Sequence, residues 1–145
     1  MKITIKKGNI KDIVGISHKI PEFDNPYKEQ EYKKRLSGVK NLILIACYND
    51  KLVGFKVGYD RFQDGSFYSW MGGVLPEFRR KNIAHQLALE QEKWAKENGF
   101  IKIIMKTLNK HKAMLQFAIL RNFKITGFEE NEDINKCRIW LKKKI

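Results

Sequence analysis

The segment Ser66–Asn98 constrains the fold most, because its apolar periodicity changes from that of a strand to that of a helix across one short basic turn. Ser66 to Leu75, with Phe67, Tyr68 and Trp70, reads as a strand that runs into Gly72-Gly73-Val74-Leu75. Two adjacent glycines weaken a strand and mark a bulge or a close approach of backbone or ligand. Beyond the turn, Ala84, Leu87, Ala88, Trp94 and Ala95 fall on one helical face, interrupted by polar Gln91. That helix runs to about Asn98, where Gly99 caps it. A buried strand, Ile101 to Thr107, follows, so the unit is a βαβ crossover.

The flanking elements place this crossover in a mixed sheet. Lys2 to Lys6 alternates as a short strand, and Asn9 with Asp12 caps a helix through about Ile20, stopped by Pro21. Pro21–Tyr27 is loop-like, and Glu29 to about Leu36 is a mostly polar helix expected on the surface, ended by Ser37-Gly38. Leu42–Tyr48 and Leu52–Asp60 form a hairpin about Asn49-Asp50, and Asp64-Gly65 turns the chain into the Ser66 strand, completing an antiparallel meander. After the crossover, Lys112 to about Arg121 is a helix carrying Met114, Phe117 and Ala118. Strands Phe123–Glu130 and Asn135–Leu141 then form a C-terminal hairpin about Asn131-Glu132-Asp133. The order β α α β β β α β α β β predicts one α/β domain with an α+β mixed sheet over residues 1–145.

Composition narrows the partners. With 145 residues, 43% of them hydrophobic and 12% aromatic, the chain has material for one core. No apolar run approaches the roughly 20 residues that cross a bilayer. Met1 to Ile10 alternates apolar and basic residues and lacks a signal-peptide core, so a cytoplasmic protein with no membrane partner is the expectation. Cys47 and Cys137 read as reduced, buried thiols, and no cysteine or histidine pair has metal spacing, so no metal is expected. The net charge is +13, and residues 102–145 carry 11 basic against 4 acidic side chains. Such a field attracts polyanions: nucleic acid, acidic substrates or a phosphorylated cofactor. Charge alone does not choose among them.

The turn Pro76-Glu77-Phe78-Arg79-Arg80-Lys81-Asn82-Ile83-Ala84-His85 carries the chemistry. A helix start presents unpaired N–H groups and a positive dipole end, together an anion site. Arg79, Arg80 and Lys81 sit in the turn, Asn82 tolerates a left-handed backbone, and Ala84 is small enough to let a diphosphate approach. The alternative is a solvated basic turn ahead of an ordinary helix.

Val74-Leu75-Pro76 followed by Arg79-Arg80-Lys81-Asn82-Ile83-Ala84 resembles the GCN5-related N-acetyltransferases (GNAT), which have V-x-P and then [Q/R]-x-x-G-x-[G/A] at a helix start. Asn109 stands where the family has an asparagine after the next strand, and Asn122-Phe123 where it has Gly-Phe. The resemblance implies an acyl-CoA N-acyltransferase fold and direct transfer of an acetyl group from acetyl-CoA to a primary amine of a small molecule or peptide. It implies that the backbone at Val74 and Leu75 bonds the pantetheine arm, that the amides from Arg79 to His85 (Arg79, Arg80, Lys81, Asn82, Ile83, Ala84 and His85) hold the pyrophosphate, and that Asn109 touches the cofactor. A homodimer is common in the family. Two departures stand out: Asn82 replaces the motif's glycine, and Ala118 occupies the position of the tyrosine that protonates the leaving thiolate in many members.

Acyl transfer needs a deprotonated amine and a stabilised oxyanion. The strand near the implied thioester has no carboxylate between Phe67 and Val74. Glu22 and Asp24 in the first loop, and Asp60 at a strand end, are the candidate bases, with Tyr68 orienting a water. Glu22 or Asp24 could equally hold the substrate, and Tyr68 and Trp70 either line the acceptor pocket or pack in the core. His85 is expected beside a phosphate or exposed, not as a base, while His18 and His111 look like surface residues. The competing readings are an RNA-directed acyltransferase gripping phosphates through Lys142-Lys143-Lys144, and a binding module without catalysis.

Overall fold

The computed structural model describes residues 2–145. Its elements are β1 (Ile3–Lys7), α1 (Ile10–Ser17), α2 (Glu29–Leu36), β2 (Asn41–Tyr48), β3 (Lys51–Tyr59), β4 (Ser66–Val74), α3 (Ile83–Glu97), β5 (Lys102–Leu108), α4 (Lys112–Leu120), β6 (Lys124–Glu129) and β7 (Arg138–Lys144). The strands form one seven-stranded sheet in the order β1-β2-β3-β4-β5-β7-β6. All neighbours are antiparallel except β4 and β5, as a crossover through α3 requires.

Local chemistry sets the element ends. Asn9 and Asp12 form a reciprocal capping box at α1, with bonds of 2.9 and 3.0 Å. Gly99 takes φ +86° after α3, and Asn49 takes φ 54° in the first hairpin. Alternation along the strands sorts the core onto two faces. Leu42, Leu44, Phe67, Ile103 and Leu141 meet Leu87 and Ala95 of α3 on one face. Ile45, Phe55, Val57 and Ile104 meet Ile13 and Ile16 of α1 and Tyr32 and Leu36 of α2 on the other. The polar sequence of α2 therefore misleads: it is held to the sheet by Tyr32, 0% exposed, and Leu36.

The C-terminal hairpin departs from the sequence reading. A 3₁₀ turn, Ile134–Lys136, replaces the expected start of the last strand, because the Asp133 carboxylate accepts from the Asn135 amide at 3.0 Å. The strand instead continues through Lys144, lying between β5 and β6. Lys142-Lys143-Lys144 is thus no basic tail. Ile139, Leu141 and Lys143 share a face, and the Lys143 stem carries its ammonium to Glu92 of α3 at 2.7 Å.

The parallel ladder between β4 and β5 is short: Ser66, Phe67 and Tyr68 pair with Lys102, Ile103 and Ile104, and the strands then part. Beyond Tyr68, β4 pairs only with β3, with a register shift at Val57/Gly58. A bulge increases local twist, which swings the end of β4 away from β5 and opens a fork. On the α3–α4 side of this fork lies a cavity of about 20 Å³, lined by Lys56, Gln91, Glu92, Phe117, Ala118 and Arg121. Gln91 Nε2 and Arg121 Nε are buried there without a partner among the described residues. Among those residues no helix is long and apolar enough to cross a membrane, and no cluster could hold a metal ion.

Two measurements check this architecture. A Cβ on Gly58 would lie 2.6 Å from the Tyr68 carbonyl oxygen as well as against the Phe67 ring, so Gly58→Ala should lower unfolding stability by about 2 kcal/mol or more in urea titration. Lys56 reaches into the cavity, and burial chiefly, then Arg121, lowers its pKa to about 8, with Glu92 opposing. The unfolded chain then binds more protons between pH 8 and 10.5, so stability rises with pH across that window. Lys56→Met should raise stability at pH 7 by about 3 kcal/mol at most, and the gain over wild type should vanish towards pH 10.

Candidate functional site

The turn between β4 and α3 departs from ordinary helix initiation. A 3₁₀ turn, Pro76–Phe78, follows the strand, and the Arg79 amide closes it onto the Pro76 carbonyl at 3.3 Å. Arg80 at φ 59° and Asn82 at φ 67° are then left-handed. Asn82 is the N-cap residue, yet its side chain caps nothing, and its carbonyl accepts the first helical bond, from Gln86 at 3.1 Å. Among the described residues, the amides from Arg80 to His85 donate to no acceptor. Left-handed residues interspersed in a turn gather successive N–H groups into a concave anion nest. Ile83, 2% exposed, anchors the helix start, while exposed Ala84 keeps its face of the nest bare.

Arg79 faces elsewhere. Its Nε donates to the Val74 carbonyl at 3.1 Å, and Nη1 and Nη2 donate to both oxygens of Glu22 at 2.8 and 2.6 Å. Leu75 directs its amide to Val53 of β3 at 2.9 Å. In an antiparallel ladder alternate residues face alternate sides, so the main chain of Val74, not that of Leu75, is turned to the open edge of β4.

Of the three candidate catalytic side chains, Glu22 and Asp24 both lie within the field of His111, whereas Tyr68 is buried in the sheet. Glu22 lies against Arg79, whose hydrogen bonds hold its carboxyl below the usual carboxylate range. Such a group stays ionised and is a weak base. Asp24 is exposed, 3.7 Å from Lys110 at the start of α4. Glu22 and Asp24 thereby strap the α1–α2 loop to both limbs of the fork. Tyr68 is 1% exposed, and burial pushes its hydroxyl up to about 12. It lies in the sheet face instead of on an open surface. Asp60 accepts from the Gln63 amide at 3.2 Å in a turn. His111 is half-buried beside the strap, its pKa lowered chiefly by burial and then by Lys110.

His85 points back from the nest. Its Nδ1 is in close contact with Arg121 Nη1, and a guanidinium can only donate, so Nδ1 is the acceptor. Arg121, 8% exposed, also donates to Glu92 at 2.6 Å, and Glu92 takes Lys143 on its other oxygen. This network joins α3, α4 and β7 behind the cavity and was not anticipated from the sequence. The one available signal was the shared helical stripe of His85, Ala88 and Glu92. Asn109 donates its side-chain amide to the Ile134 carbonyl at 3.2 Å and its main-chain amide to Cys137 at 2.8 Å. Ala118 lines the cavity, 1% exposed, with no hydroxyl at its position.

The fold as a whole recurs in known proteins. Among solved structures, the chain superposes on the ribosomal-protein-S18-alanine N-acetyltransferase from Escherichia coli with a TM-score of 0.85, at 12% identity, over 99% of this chain and 94% of that one. It is similar to the PaiA N-acetyltransferase from Thermoplasma acidophilum in complex with coenzyme A (TM-score 0.77, 18% identity, 100% of both chains). A GNAT family acetyltransferase from Elizabethkingia anophelis with acetyl-CoA bound gives 0.79 at 20% identity, over 99% and 98% of the two chains. Comparison with curated proteins by sequence gives no match. The family model described as "Acetyltransferase (GNAT) family" matches residues 11–123, which run from α1 through the nest to the start of β6, and the chain therefore belongs to that family.

Proposed function

We propose that this protein transfers the acetyl group of acetyl-CoA directly to a primary amine of a small molecule or peptide, in the cytoplasm. The observation that carries the reading is the run of unpartnered amides from Arg80 to His85 at the mouth of the fork. Family membership and the coenzyme A and acetyl-CoA bound by similar structures support it.

The nest fits a diphosphate: its N–H groups converge, α3 adds its positive end, and Arg80 and Lys81 add charge. The open edge of β4 fits an amide-bearing arm laid along it like an added strand, with the Val74 N–H facing that edge and the Val74 carbonyl held by Arg79. When bound, the thioester supplies an activated carbonyl carbon for the amine to attack.

This chain's residues then orient and exclude. Glu22 and Arg79 fix the loop that roofs the end of β4, and their mutual bond leaves neither free to carry a proton. An amine of pKa near 10 is mostly protonated at neutral pH, so its proton leaves through water in the fork. Ala118 holds no proton to give a leaving group.

Calorimetry with acetyl-CoA, paired with thiol-release assays over an amine panel, tests the reading. Because Asn82 is left-handed, Asn82→Gly should keep the wild-type affinity within about twofold. Asn82→Val, which disfavours that backbone by about 1–2 kcal/mol, should lose about tenfold. A wild-type protein that shows no heat with acetyl-CoA sinks the reading.

A further inference from the structure

On the α1–α2 face of the fork, aromatic rings from distant parts of the chain form a continuous floor. Tyr27 and Trp70 lie 5.6 Å apart, Trp70 and Tyr59 5.6 Å, Tyr59 and Tyr68 5.7 Å, and Tyr68 and Trp140 6.2 Å. Tyr68 and Trp70 belong to β4 and Trp140 to β7, where it pairs with Lys106 of β5, so the floor reaches from one limb of the fork to the strand beside the other. Trp70 and Trp140 are partly exposed, whereas Tyr59 and Tyr68 are buried, so the floor opens to solvent at its two tryptophans.

Three cations lie over it. Arg35 sits 4.7 Å from the Trp70 ring, Arg61 4.9 Å from Tyr68 and Lys106 5.1 Å from Trp140. Lys106 is on β5 just past the last rung shared with β4. Their charge is unevenly matched. Arg35 has Glu31 at 3.6 Å, and neighbouring Arg138 has Glu129 at 3.6 Å. Arg61 and Lys106 make no ion pair among the described residues. Lys106 responds to the crowding: its pKa is lowered, chiefly by burial, then by Arg61 and Arg138, with Arg35 adding to them and Glu129 opposing. Glu129 is already engaged by the Trp140 indole N–H at 2.9 Å.

A basic chain exposes many lysines, but loose lysines move apart. Here the rings hold like charges together at the place where the limbs of the fork diverge. A guanidinium stacked on a ring also keeps its N–H edge free to fork onto two oxygens. A polycationic acceptor would meet repulsion at this floor, and an anionic group would meet two unneutralised partners.

We propose that the acceptor amine carries an anionic group, a carboxylate or a phosphate, and that Arg61 and Lys106 grip it over the Tyr68–Trp140 floor. The proposal rests on the transferase reading and names its substrate class. It makes Arg61 and Lys106 determinants of specificity, with the amine end directed towards the fork.

Matched acceptor pairs test it: 4-aminobutyrate against butylamine, and 2-aminoethyl phosphate against ethanolamine, with spermidine as a polycation. Thiol release from acetyl-CoA gives turnover, and quenching of tryptophan fluorescence, with Trp70 and Trp140 in the floor, gives binding without turnover. At least one anionic amine should exceed its neutral partner by about tenfold or more in kcat/KM and in affinity. The pair that responds tells carboxylate from phosphate. Arg61→Gln with Lys106→Gln should bring that pair within about twofold, mainly through KM, with acetyl-CoA affinity unchanged by calorimetry. Arg61→Lys, which keeps the charge, should retain most of the preference. Neutral amines or spermidine that bind as well as the anionic amines overturn the proposal, as does a preference that survives the double substitution. If acetyl-CoA fails to bind, the transferase reading falls, and the fluorescence titrations still decide whether this floor selects anionic amines.

Discussion

The three-rung ladder between β4 and β5 is the constraint on which the rest depends. Had the two strands stayed paired, the sheet would be closed, and the amides at the start of α3 would face a filled surface. They part because β4 is registered against β3 through a bulge, while β5 follows β7 through seven residue pairs. Each strand of the fork is therefore held straight by its outer neighbour. The outer ladder of β5 is continuous, and that of β4 is interrupted only at the bulge.

Much of the frame was legible in the sequence because it rests on short-range chemistry. The Asn9/Asp12 box, Gly99 after α3 and the turn at Asp64-Gly65 are read from neighbouring residues, and the βαβ crossover follows from the change of period after Gly72-Gly73. The left-handed turn was legible too, since Asn82 lies within the motif itself. What stayed hidden depends on pairs distant in sequence. Arg79 reads as one more cation of the turn, yet Glu22, 57 residues earlier, holds it. Lys56 has no local mark that sets it apart from the other lysines, yet its face is covered by α3 and α4. Tyr32 is a lone aromatic in a polar helix, and only the packing of Ile13, Ile16 and Phe55 around it explains why it is buried.

The two faces of the fork divide the chemistry. The α3 side is built from main-chain groups, which depend on backbone shape and little on side-chain identity, so asparagine can stand in for glycine there. The α1–α2 side is built from rings and cations drawn from Tyr27 to Trp140, whose identity is everything. A scaffold can keep the first while changing the second. In this chain the loop Pro21–Tyr27 spans the division: Glu22 braces the nest's strand, and Tyr27, where it ends, extends the floor.

One carboxylate ties this arrangement together. Glu92 accepts Arg121 on one oxygen and Lys143 on the other, with Lys56 also within its field. It is a keystone shared by three segments that form no other ion pair with one another among the described residues. Change it alone, and three cations are left confronting one another in a small enclosed space. Positions 56, 92, 121 and 143 are therefore expected to be inherited as a set, drifting together across related chains or not at all.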